Sequence, residues 1–127
     1  MYYINKKIKL AFSEAEKKVR EELQKEGFGI LTEIDIKEKL KEKLNVDFRQ
    51  YKILGACNPP FAYKALLAED KIGTMLPCNV IIQEADNDIV EVSAIDPLAS
   101  MIAVNNEKLN EIASEIRDKL VKVIANL

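Results

Sequence analysis

The sequence predicts an α+β domain: a five-stranded, mostly antiparallel sheet with two long helices on one face. Two observations carry that class. Residues 78–95 hold two β-rich runs joined by the polar turn Ala85-Asp86-Asn87-Asp88, with no helix between them, which argues against a doubly wound parallel sheet. Leu109, Ile112, Ile116, Leu120 and Val123 recur at helical spacing, an apolar stripe that needs a surface as broad as a sheet to cover it. No repeat, low-complexity run or linker interrupts the chain, so residues 1–127 read as a single domain.

The elements follow in order. Residues 2–10 alternate Tyr2, Ile4, Lys6, Ile8 and Leu10 against Tyr3, Asn5, Lys7 and Lys9, a half-buried strand whose lysines suit a sheet edge. Ser13 and Glu16 form a capping box that predicts a helix over 13–26, closed by Gly27 as the left-handed residue past its end. A second strand spans 28–35, with Phe28, Ile30, Thr32 and Ile34 on one side. Asp35 then caps a short Lys/Glu-rich helix whose stripe of Ile36, Leu40 and Leu44 is narrow, the mark of a solvated helix rather than an interaction surface.

A third strand covers 49–57. Asn58-Pro59-Pro60 ends it and opens a short helix, with Asn58 as cap and Phe61, Ala65 and Leu66 turned toward the sheet. Gly73 and Pro77 break the chain before a fourth strand, 78–84, and the fifth runs 89–95 until Asp96-Pro97 stops it. The last helix is expected over 105–126.

Composition excludes much. With no histidine, no His-dependent triad or imidazole acid–base scheme is available. A net charge of −2 with interleaved Lys and Glu leaves no basic stripe, so neither nucleic acid nor an anionic membrane is an expected partner. The N-terminal segment carries lysines where a signal peptide needs an apolar run, and two cysteines make no secreted disulfide framework. A cytoplasmic protein with reduced thiols is therefore expected. Abundant Lys, Glu and Ile without Trp or His suits a thermophile or an AT-rich genome equally.

Residues 51–82 gather both cysteines, three of the four prolines and two of the four glycines. The stretches Tyr51-Lys52-Ile53-Leu54-Gly55-Ala56-Cys57-Asn58-Pro59-Pro60, Ile72-Gly73-Thr74-Met75-Leu76-Pro77-Cys78-Asn79-Val80 and Val92-Ser93-Ala94-Ile95-Asp96-Pro97 resemble the uncharacterised family called domain of unknown function 302, as does Gly27-Phe28-Gly29-Ile30-Leu31-Thr32-Glu33-Ile34-Asp35. The resemblance implies a TATA-box-binding-protein-like topology, β-α-β4-α, in a small, often dimeric, mostly prokaryotic protein. It brings no activity, and the fold name alone does not imply DNA binding.

The candidate chemistry sits at the Cys57/Asn58/Cys78/Asn79 corner. Cys57 shares strand parity with Tyr51 and Ile53, Cys78 with Val80 and Ile82; if those strands pair antiparallel, the thiols approach each other. The start of the Pro59 helix would stabilise a Cys57 thiolate. A reactive or metal-binding pair is one reading, two small buried hydrophobes the other. Asn58, Asn79, Lys64 and helix N–H groups form a second candidate, a pocket for a small anion or polar molecule, although two prolines there remove donors. Glu84, Glu91, Asp86, Asp88 and Asp96 need a cleft to act as an acid–base pair. Tyr2, Tyr3, Phe48, Met75, Met101 and Ile102 stand outside the core pattern and suit a subunit interface.

The leading functional expectation is a homodimeric binding or accessory protein, not an enzyme, with a small-ligand or metal pocket at that corner. The tentative ligand residues are Cys57, Asn58, Lys64, Cys78 and Asn79, with Cys57 and Cys78 as the metal donors if a metal binds; no cofactor is identified. A thiol-dependent redox protein or sensor using Cys57 and Cys78, and a purely structural interaction module, are the alternatives.

Overall fold

The computed structural model describes residues 1–127. The chain runs β1 (Tyr3–Ile8), α1 (Phe12–Lys25), β2 (Gly29–Asp35), α2 (Ile36–Leu44), β3 (Tyr51–Cys57), α3 (Pro59–Ala68), a 3-10 turn (Asp70–Met75), β4 (Cys78–Glu84), β5 (Val90–Ile95), α4 (Pro97–Met101), a second 3-10 turn (Ile102–Val104) and α5 (Glu107–Ala125). One sheet holds all five strands in the order β1-β5-β4-β3-β2, and every pairing is antiparallel. This is the α+β class that the hairpin and the long apolar stripe predict, with the lysine-bearing β1 at an edge.

Alternation along the strands divides the sheet into two faces. Leu54, Val80, Ile82 and Val92 are fully buried and pack with Val19 and Leu23 of α1 and Leu120 and Val123 of α5. Truncating one such leucine to alanine removes contacts and leaves a cavity, which costs about 2–5 kcal/mol. Ile53, Ile81 and Ile34 align across β3, β4 and β2 on the opposite face, where Ile34 is exposed and the other two are half-buried.

Local chemistry explains most element ends. Gly27 at φ +86° lets its own N–H reach Gln24 O and the Phe28 N–H reach Leu23 O, both at 3.0 Å, so the last turn of α1 is closed by the backbone. Asp35 accepts from Glu38 N at 3.0 Å and caps α2, which buries no residue, as its charge pattern predicts. Asn106 caps α5 through Leu109 N.

Four expectations need correction. Ser13 is not the cap of α1: the helix begins at Phe12, whose ring packs on the main core, and Ala11 occupies the cap position without a side-chain bond. In β2 a register shift between Ile30 and Thr32 breaks the alternation, so Ile30 pairs Ala56 on the helix face whereas Thr32 and Ile34 pair Gly55 and Ile53 on the open one. Helix α3 packs on α5 and the first 3-10 turn rather than across the sheet, and Ala65 is its one buried residue. Asp96-Pro97 does not merely stop β5; it starts α4, with the Asp96 carboxylate accepting from Leu98 N and Ala99 N.

Those last two helices build a second, smaller apolar cluster. Ala65, Ile72, Met101, Leu109 and Ala113 are buried together at one end of the molecule, beyond the ends of β3 and β4. Met101 thus belongs to a core and not to a surface interface, whereas Tyr2, Met75 and Ile102 are exposed.

Candidate functional site

Between the main core and this second cluster the side chains do not meet. They leave an apolar cleft of about 280 Å³, walled by Ala56 and Cys78 of the sheet, Phe61 of α3, Met101 of α4, and Leu109 and Ile116 of α5. Each wall has a sequence cause. Pro59 and Pro60 start α3 directly after β3, and Pro97 starts α4 directly after β5, so both helices leave the same end of the sheet. The C-terminal half of α5 lies on the sheet while its N-terminal half extends past it to carry Leu109 and Ala113. At the mouth, the β2 irregularity re-aims Leu31, 65% exposed, toward the same opening as Leu66 of α3, 44% exposed.

The structure brings together three of the five tentative ligand residues. Cys57, Asn58 and Cys78 all line the cleft. Asn79 does not: the pleat turns it to the open face of the sheet, opposite Gly55 and away from its neighbour Cys78. Lys64 is exposed on α3, its Nζ 5.4 Å from the centre of the Phe61 ring, outside the cleft lining. The anion pocket built on Asn58, Asn79 and Lys64 therefore has no common cavity.

Asn58 does not cap α3 either. It stands at the cap position, but its Nδ2 donates 3.0 Å to Glu26 O at the end of α1, and no backbone N–H of α3 donates to its side chain. The two prolines remove the N–H groups of the first two helical positions, so Phe61 N is the one first-turn donor left to a cap, and the Asn58 amide turns to Glu26 O instead.

The thiols behave as buried groups. Cys78 pairs in register with Ala56, so Cys57 is one residue away across the ladder, and both thiols are free. Burial pushes the Cys78 thiol up to about 11, with the neighbouring Cys57 adding a smaller push in the same direction. Burial also raises Cys57. Stabilisation of a thiolate by the α3 start was expected; the direction is the reverse, since desolvation outweighs a helix terminus stripped of two N–H groups. No group of three or more Cys, Asp or Glu side chains comes together to hold a metal ion.

Nor do the carboxylates converge. Glu91 takes hydrogen bonds from Asn5 and Gln83 on the open face, Glu84 from Gln50 N, and Asp96 is tied to Arg117 Nε at 2.9 Å besides capping α4. Sequence reasoning missed much of the cleft, with Phe28, Leu31, Leu76, Met101 and Ile112 among the residues it did not assign there. Phe28 and Ile112 read as ordinary core, Leu31 falls on the polar side of its strand and Met101 stands outside the core pattern, so nothing joins them until the two clusters are seen to stand apart.

Comparison with known proteins matches this architecture to a family. Residues 4–127 match the family described as domain of unknown function DUF302. The chain belongs to that family. A crystal structure described as an uncharacterized conserved protein DUF302 from Bacillus stearothermophilus is similar to this DUF302 chain with a TM-score of 0.91 at 28% sequence identity, covering 98% of this chain and 97% of that one. A search of curated proteins gives no match. No helix of the DUF302 chain is long and apolar enough to cross a membrane.

Proposed function

We propose that this DUF302 protein binds a small, uncharged, apolar molecule in the cleft between its two cores. The supporting observation is the lining: Asn58 is the one residue there whose side chain carries nitrogen or oxygen, and the rest are aliphatic, aromatic, proline or thiol. A cavity of about 280 Å³ is near twice the ~150 Å³ that accommodates benzene in an apolar protein interior. It suits a single ring with a short alkyl chain, and the leucine-rimmed mouth gives such a molecule entry. A charged ligand would lose its hydration without gaining a partner.

The test uses the methionines. With the Met methyl groups labelled with carbon-13, 4-ethyltoluene should shift Met101 saturably and leave exposed Met1 and Met75 in place. A Met101 signal that does not move at the solubility limit sinks the reading.

A second copy of the chain is the proposed occupant of the open sheet face. Ile34, Ile53 and Ile81 form a partly exposed apolar row there, with Lys7 beside Glu91 across β1 and β5. A face of mixed charge with an apolar centre complements itself better than it complements a polyanion. Sedimentation equilibrium of the wild type against Ile81→Glu checks this: a dimer that the substitution splits is expected, and a wild-type monomer at all concentrations rejects it.

A further inference from the structure

We infer that the cleft selects uncharged apolar molecules carrying one hydrogen-bond donor, a phenol or an alcohol, and that Asn58 Oδ1 receives that donor. The assignment rests on the cleft being a ligand site.

Asn58 is only 7% exposed, yet its amide is half used. The partner of one amide atom is a backbone carbonyl, Glu26 O, which only accepts, so Nδ2 must be the atom facing it at 3.0 Å. That bond fixes the remaining atom as Oδ1. No protein group donates to Oδ1, neither the backbone of α3 nor either thiol. The Nδ2 bond to Glu26 O is what holds the amide in this orientation, and Gly27, having no Cβ, leaves it room: a Cβ there would lie 3.2 Å from Nδ2. Asn58 thus lines the cleft with an amide whose oxygen no protein group uses, in a wall where every other side chain is apolar or thiol.

Oδ1 has no protein donor and is not sealed from solvent, so a ligand that brings a donor exchanges a water for a matched partner in an otherwise apolar wall. The ligand must bring the hydrogen, which excludes ketones, ethers and carboxylates as matched partners. Ammonium groups donate too, but no carboxylate lines the cleft to balance their charge. Neutral hydroxyl compounds remain, with the ring or chain in the apolar part and the hydroxyl at Asn58.

The experiment compares 4-ethylphenol with 4-ethyltoluene, nearly equal in shape and different in one donor. Both are titrated into wild type and Asn58→Leu, with the Met101 methyl signal reporting occupancy. The ratio of the two dissociation constants should move by about tenfold toward ethyltoluene in the variant, the usual size of one satisfied buried hydrogen bond. A second readout needs no variant: in wild-type protein with carbon-13 in the asparagine side-chain carbonyls, the Asn58 signal should shift with ethylphenol and stay with ethyltoluene. If both compounds move Met101 but the ratio and the carbonyl signal do not discriminate, the donor assignment is wrong and the apolar-ligand reading stands. If neither moves Met101, both fall.

Discussion

A Cβ built on Gly55 would lie 2.7 Å from Cγ of Pro77, and closer still to the Thr32 hydroxyl. Gly55 is therefore the position at which β2 and the Leu76-Pro77 segment both close over β3. Gly55→Ala forces the Pro77 ring and Thr32 apart. The expected cost is about 1–3 kcal/mol by urea unfolding, the usual range for overpacking. Thr32→Ala should return only part of it, because the proline ring remains in the way. Equal stability of Gly55→Ala and wild type would show that both neighbours move without resistance.

The Cys78 thiol gives the folded protein an alkaline limb. Its value is raised from 9.0 to about 11 by burial, so the folded state holds the proton more tightly than the unfolded chain does. Stability from this group is fully present below pH 9 and is lost as pH rises from there toward 11. At 1.36 kcal/mol per pKa unit the loss amounts to about 2–3 kcal/mol. The measurement is a difference between two proteins: Cys78→Ala should be less stable at pH 8 but lose less between pH 9 and 11. Parallel curves for the two proteins would contradict the burial of Cys78.

Lys52 joins the sheet to α1 through two carboxylates, with Nζ 2.8 Å from both Glu16 and Glu33, and Arg20 bridges the same two acids from the other side. The Glu16 and Glu33 hydrogen bonds hold the Lys52 ammonium above its usual range, and the Lys52 bond holds Glu33 below its own. Lys52→Ala should cost about 1 kcal/mol, because Glu33 is half exposed and Arg20 still holds both acids. Glu33's part in stability is present above the ordinary carboxylate pKa and lost as pH falls through its depressed value. The acid limb should therefore flatten in Lys52→Ala. Thermal melts from pH 3 to 7 check both.

The strands, the long helices and the Asp35 and Gly27 ends were legible because periodicity and capping are local. The corner at Cys57-Asn58 was legible as a place but not as chemistry. Asn before Pro-Pro reads as a cap, and only the approach of Glu26, 32 positions away, shows that its amide is used elsewhere. Likewise the Leu31 irregularity leaves no mark in an alternating run, since it is set by pairing with β3 rather than by β2 itself. The cleft was hidden for a related reason. Leu109, Ile112 and Ile116 carry ordinary core signatures, Met101 reads as an interface residue, and a gap between two cores is a property of helix placement, to which hydrophobic pattern is blind.

Chemical modification joins the thiols to the cleft. Both cysteines line it and both are held in the protonated form by burial, whereas the thiolate is the nucleophile. At pH 8, iodoacetamide should label Cys57→Ser, in which only Cys78 remains, far more slowly than the unfolded chain. Cys78→Ala, which leaves the half-buried Cys57, should react faster than that but still below the rate of a free thiol. Saturating 4-ethylphenol should slow both further, because a molecule in the cleft denies the reagent its approach. Intact-mass time courses separate the outcomes. Slowing at Cys78 with none at Cys57 would place the ligand on the Met101 side of the cleft, and slowing at neither would remove the thiols from the binding surface altogether.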